Sequence, residues 1–220
     1  MRTLSLIWRI AIAVSLSIAS VPVFSEAARA EGNLTVLNFA VMRNGEQIGT
    51  STIRLHRDGQ RTVAELVTQV QVKIASITVY RLDQRETEHW IDGKLVAMNS
   101  VTDDNGTLHK VSATKRGNTL SVNANGKISE IDSAVIPASL WNASLVRTTM
   151  ALNSRDGSVM PISVIDHGKK QLVLHGRATT AHHYSIKTDF RQDVWYDEQH
   201  RLVRVELRGS DGSKIQYQPG

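Results

Sequence analysis

Along most of this chain apolar and polar residues take turns one by one. Val70, Val72 and Ile74 alternate with Gln69, Gln71 and Lys73, and Val203, Val205 and Leu207 alternate with Arg204, Glu206 and Arg208. A period of two places one set of side chains on each face of a strand, so such segments bury one face and wet the other, as antiparallel sheets do. The alternating runs are separated by Asn44-Gly45, Asp58-Gly59, Asp92-Gly93, Asn105-Gly106, Asn125-Gly126, Asp156-Gly157 and Asp211-Gly212, with Gly117-Asn118 and His167-Gly168 as similar pairs. Pairs of this kind accept positive φ and suit the tight turns that join right-twisted strands. The pattern predicts strands near 34–42, 47–56, 62–74, 84–91, 94–102, 107–115, 118–123, 127–131, 158–165, 170–176, 181–188, 190–197, 201–208 and 213–217.

One segment departs from the period of two. Residues 137–142, Pro-Ala-Ser-Leu-Trp-Asn, lead into 143–152, where Leu145, Val146 and Met150 join Leu140 and Trp141 in a single helical stripe. Ser139 or Asn142 can cap its start. The expected fold is therefore mainly β: a strongly curved antiparallel sheet, or open β-barrel meander, with one short helix. A strongly bent sheet must close, be plugged, or enclose a ligand. The helix around Trp141 is the natural cover, which makes Leu140, Trp141 and Leu145 the candidate ligand-binding residues.

The first thirty residues read differently. A charged start from Met1-Arg2 to Trp8-Arg9 is followed by an apolar run over 10–18 and then by Ala28-Arg29-Ala30, a small-x-small pattern. This is the order of a secretory signal peptide, and the apolar part is shorter than the roughly 20 residues that span a bilayer. The expectation is a leader over 1–30 and one β-rich periplasmic domain over 31–220, with no transmembrane segment after cleavage. The leader contributes three arginines and one glutamate, so the net charge falls from +5 for the whole chain to about +3 for the domain. Its charges are interspersed, and no basic stripe with stacking aromatics marks a nucleic-acid partner. There are no cysteines, so disulfides, thiol nucleophiles and thiolate metal sites are excluded.

Several constellations could carry chemistry. The eight histidines are His56, His89, His109, His167, His175, His182, His183 and His200. Adjacent His182 and His183 on a strand point to opposite faces, whereas His175 and His183 could lie on neighbouring strands. With no zinc-ligand spacing, the histidines read as surface or hydrogen-bonded structural groups, and no metal or cofactor is expected. Ser139 reads as a cap and lies in no Gly-x-Ser-x-Gly elbow. Glu86 and Glu88 share a strand face, as do Asp193 and Asp197, and a fixed carboxylate pair could cleave a glycosidic bond. Acids on a wet strand face more often pair with nearby cations such as Arg81, Arg85 and Arg191. Trp195 and Tyr196 send their rings to opposite faces.

Longer stretches carry a resemblance. Residues 39–49 (FAVMRNGEQIG), Val79-Tyr80-Arg81 with Glu86-x-x-x-Trp90-Ile-Asp-Gly93, residues 136–142 (IPASLWN), and the end from Val194 through 211–217 (DGSKIQY) together resemble the exported bacterial DUF6134 type, with looser similarity to DUF3108 proteins. The resemblance implies a relative of the curved, unclosed β-barrel of periplasmic lipoprotein carriers, which hold an acyl chain between a bent sheet and its covering helices. It brings no catalytic residue with it. The leading expectation is a non-enzymatic periplasmic protein that binds or carries a lipid or other apolar or amphiphilic ligand under Leu140, Trp141 and Leu145. The alternatives are an envelope interaction or sensor module, and a glycan or lipid hydrolase using at least two of His175, His182, His183, Glu86, Glu88 and Asp193 in one cleft.

Overall fold

The structure, a computed structural model, describes residues 33–220. The expected leader lies outside the described residues. Eight strands follow one another in a meander: β1 (Asn33–Arg43), β2 (Glu46–Asp58), β3 (Arg61–Ile74), β4 (Ile77–Ile91), β5 (Lys94–Asp104), β6 (Thr107–Arg116), β7 (Thr119–Ala124) and β8 (Lys127–Asp132). After an excursion over 133–162, five more complete the sheet: β12 (Ser163–Leu174), β13 (Arg177–Lys187), β14 (Arg191–Tyr196), β15 (Leu202–Arg208) and β16 (Lys214–Pro219). Strand β16 returns to pair with β1, Val41 opposite Tyr217, so all thirteen form one antiparallel sheet that runs from β12 at one edge to β8 at the other.

The turns follow from their residues. At Asn44-Gly45, Asp92-Gly93, Asn105-Gly106 and Asn125-Gly126 both central residues have positive φ, the hand that matches the strand twist. Two turns differ from expectation. β3 and β4 are joined at Ala75-Ser76, where φ is 48° and 67° although neither residue favours that region. With no glycine to mark it, the first half of β4 is invisible to turn-seeking. Conversely, His167-Gly168 does not turn. It is a bulge inside β12, where the register slips between Asp166 and Lys169, and the true hairpin is at His175-Gly176. A strand continuing past a glycine is what a bulge allows, because the extra residue is absorbed locally.

The sheet wraps one core. Trp90, Leu95, Met98, Leu120 and Val122 from β4–β7 share a cluster with Ile186, Val194, Tyr196 and Val205 from β13–β15, strands far apart in the sheet. They can meet only because the sheet curls. The excursion fills the hollow: Ile136, Trp141, Leu145, Ala151, Leu152 and Ile162 all belong to the same cluster. It carries a small second sheet, β9 (Ile136–Pro137), β10 (Met150–Leu152) and β11 (Val159–Pro161), with β9 and β10 parallel.

The expected helix is shorter than its stripe. Only a 3-10 segment forms, Ala143–Arg147, capped by Asn142, whose side chain accepts from the Ser144 amide at 3.0 Å. Met150, expected on the stripe, starts β10 and is exposed. Leu145 alone of the segment is buried, and a single anchor under a curved sheet gives a longer helix no second turn to bury.

Candidate functional site

Three polar constellations stand out, one inside the sheet, one at its mouth and one on its outer face. Inside, β4 turns Gln84, Glu86, Glu88 and Trp90 toward the core. Glu86 and Glu88 are 4% and 0% exposed, which corrects the expectation that they lie on the wet face and pair with arginine. The expectation followed residue type, since carboxylates are seldom buried, whereas these two share the strand face of Trp90 and turn with it to the core. Glu88 Oε2 accepts from the indole N–H groups of Trp90, at 2.8 Å, and Trp141, at 3.0 Å. Those indoles meet edge to face, with centroids 5.7 Å apart. Burial raises the pKa of both carboxyls, and the charge of Glu88 pushes Glu86 further, well above the usual carboxylate range. The donors on Glu88 favour its charged form, so Glu86 is the group that keeps its proton. Ser100 Oγ, Thr102 Oγ1 and Ser139 Oγ complete this polar interior and have no hydrogen-bond partner among the described residues.

The three residues expected to bind a ligand help to build this interior. Trp141 and Leu145 are buried in the core, and Leu140 packs against it with its carbonyl accepting from Tyr196 Oη at 2.8 Å. The open space lies on the other side of the 3-10 segment, a cleft of about 250 Å³ at the mouth of the sheet. Ala143, Val146, Ala181, Tyr184 and Tyr196 form its apolar wall, with Arg147, Lys169 and His182 around it. His182 stacks on Tyr184, centroids 4.5 Å apart and planes 7° from parallel, and its Nε2 lies 2.5 Å from Asp166 Oδ1. The Gly168 amide and His182 together hold the Asp166 carboxyl below its ordinary pKa. Asp197 also lines the cleft, but its carboxylate is taken by Arg201 at 2.7 Å and by backbone amides.

On the outer face, His183 is stacked between His167 and Trp195, with centroids at 4.4 Å and 4.3 Å. His183 Nε2 lies 3.1 Å from Asp193 Oδ1, and His167 Nε2 lies 2.8 Å from Ser185 Oγ. Ser185 also donates to Asp193 and accepts from Arg191. This is not a serine triad: Asp193 holds the hydroxyl itself and His183, so no acid orients His167 as a base.

The residues considered for hydrolysis therefore separate. Glu86 and Glu88 meet inside, His183 and Asp193 meet outside, and His182 faces the mouth cleft. His183 and His182 do point to opposite faces. His175 sits in the β12–β13 turn at φ 49°, and the partner that β12 offers His183 is His167. Asp193 and Asp197 do not share a face, because the register slips between Trp195 and Tyr196. Trp195 and Tyr196 take opposite faces as expected, the first on His183 and the second in the core. The remaining signal for the mouth cleft was the Lys169-Lys170 pair; nothing in the spacing joined it to Tyr184 or Arg147.

A curved antiparallel sheet plugged by its own excursion defines a β-barrel-like protein. The chain belongs to the domain family of unknown function DUF6134, whose model matches residues 39–220. Its fold is similar to that in the crystal structure of the β-barrel-like protein of domain of unknown function DUF1849 from Brucella abortus. The TM-score is 0.64 at 8% identity, over 87% of this chain and 97% of that one. At that identity the likeness is one of fold. No curated protein matches.

Proposed function

We propose that this is an exported, periplasmic binding protein that takes a small amphiphile with an anionic end at the mouth of its sheet. One observation carries the reading: the cleft of about 250 Å³ joins an apolar, aromatic wall at Val146, Tyr184 and Tyr196 to the cations Arg147 and Lys169. Sites of this kind combine apolar lining with a few placed polar groups. The order of charged, apolar and small residues over 1–30 supports export. The interior is occupied by Trp141, Leu145 and Leu152, so a ligand is held by its end at the mouth and its remaining length lies outside the barrel.

Native mass spectrometry of the chain purified from periplasm without detergent tests this. A retained anionic amphiphile, or uptake of one from an envelope lipid extract, is expected, with retention weakened by Arg147→Ala combined with Lys169→Ala. A mass that stays bare after incubation with the extract would refute it.

A second reading has its own observation. The edge strands carry exposed apolar side chains, Ile165 and Val173 on β12 and Ile128 on β8, at 55%, 66% and 67% exposure. Unpaired edges accept an added strand, so an envelope protein could dock there. Val173→Lys would abolish such docking while leaving the mouth cleft intact.

A further inference from the structure

We propose that His167, His183 and Asp193 form a binding site for a divalent transition metal ion, with zinc as the ion their chemistry fits. The three offer two imidazole nitrogens and a carboxylate oxygen that already lie within 4.8 Å of one another. Two histidines and one acid, with an open fourth position, make a familiar zinc donor set. Bonds of 2.0–2.2 Å in a tetrahedron place donor atoms roughly 3.3–3.6 Å apart, so the His167 ring must tilt out of its stack on His183 and close by up to about 1.5 Å to share an ion.

The local backbone is shaped to bring them together. Strand β13 runs antiparallel to β14, placing His183 opposite Trp195 and Ser185 opposite Asp193. His183, Ser185, Asp193 and Trp195 therefore share the outer face, opposite Tyr184 and Ile186, which turn to the core. The third ligand comes from β12, at the residue just before its bulge. Asp166 lies opposite Tyr184, so the next residue, His167, comes across from His183 and stacks on it, and the bulge takes up Gly168, at φ 71°, before Lys169 pairs with His182.

The surroundings fit a metal better than a purely structural role. Trp195, 8% exposed, backs His183 and restrains its ring. Ser185 Oγ donates to Asp193 and would remain on it as an outer partner once the ion is bound, as carboxylate ligands usually require. The charged groups that face the cluster are Arg191, which lies 3.5 Å from Asp193, and Lys170; the Arg191 side chain is 59% exposed and free to swing into water. An ion here would pin β12, β13 and β14 together at the open edge of the sheet.

The test is zinc titration of the purified full chain by calorimetry, with cobalt as the coloured substitute. One equivalent of zinc is expected, with a tetrahedral cobalt spectrum. His167→Ala and Asp193→Asn should each weaken zinc binding by more than about a hundredfold, and Ser185→Ala by about tenfold to a hundredfold. His175→Ala and His182→Ala should bind as the parent does. The imidazole resonances of the parent protein give a readout that needs no variant: of the eight histidines, His167 and His183 alone should shift with one equivalent of zinc. No uptake at one equivalent, undiminished binding in folded His167→Ala and Asp193→Asn, or shifts at other histidines would overturn the assignment.

Discussion

Replacing Glu86 by glutamine should make the protein more stable at neutral pH relative to the parent than it does at pH 5.5. Glu86 is 4% exposed, beside Glu88, and opposite Leu66 on one neighbouring strand and Ser100 on the other. Burial and the neighbouring carboxylate raise its native pKa well above the ordinary 4.5. In the unfolded chain the same group ionises near 4.5, so above that pH the native state binds one proton more than the unfolded state. Stability then falls as pH rises, by about 1.4 kcal/mol per unit, and levels off once the pH passes the native pKa. The contribution is thus fully present below pH 4.5 and lost on the alkaline side. From pH 5.5 to 7.5 the parent should lose up to about 2.7 kcal/mol that Glu86→Gln, having no proton to release, does not. Urea unfolding followed by tryptophan fluorescence at pH 5.5, 6.5 and 7.5 measures both proteins, and titrations of groups other than the adjacent Glu88 cancel in the difference between them. Equal pH slopes for the two proteins would refute the reasoning, because they would mean that the Glu86 carboxyl adds no extra proton to the folded state over this range.

Trp141→Phe keeps a ring in the core but removes one of the two N–H donors to Glu88 Oε2; a loss of about 1.5–3 kcal/mol is expected, and Glu86→Gln should change that loss in a double-mutant cycle. Ala75→Asn with Ser76→Gly should raise the melting temperature, by relieving about 1 kcal/mol or more of backbone strain in a turn where both residues have positive φ. Gly49→Ala should destabilise by at least about 1–3 kcal/mol in chemical unfolding, because the added Cβ would collide with the Gln69 carbonyl oxygen and force β2 from β3. Leu145→Ala, at 1% exposure under the 3-10 segment, should cost about 2–5 kcal/mol, and a smaller loss would mean that the plug is loosely packed.

Much of the fold was legible because its cause is local. Alternation and Asn-Gly or Asp-Gly turns place most strands of the meander, since each depends on residues adjacent in sequence. The misses share a reason. Ala75-Ser76 turns without turn residues, held there by fourteen cross-strand partners between β3 and β4, and Glu86 and Glu88, expected in water because they are carboxylates, share the buried face of Trp90. His167-Gly168 looked like a turn and is a bulge, because β13 runs straight past it on both sides. The 143–152 stripe had helical spacing, but Ala151 and Leu152 went to β10 and the core instead.

By itself the sequence determined a β meander without disulfides, its main turns, the opposite facing of His182 and His183, and the family likeness later seen over residues 39–220. Only the tertiary structure decided that Trp141 seals the interior, that two glutamates share it, that the open cleft lies beside Arg147, and that His167 reaches His183 and Asp193. Periodicity reports which face a residue takes on its own strand. Which residues from distant strands meet depends on how far the sheet curls and where its register slips, and those are set by packing across the whole sheet.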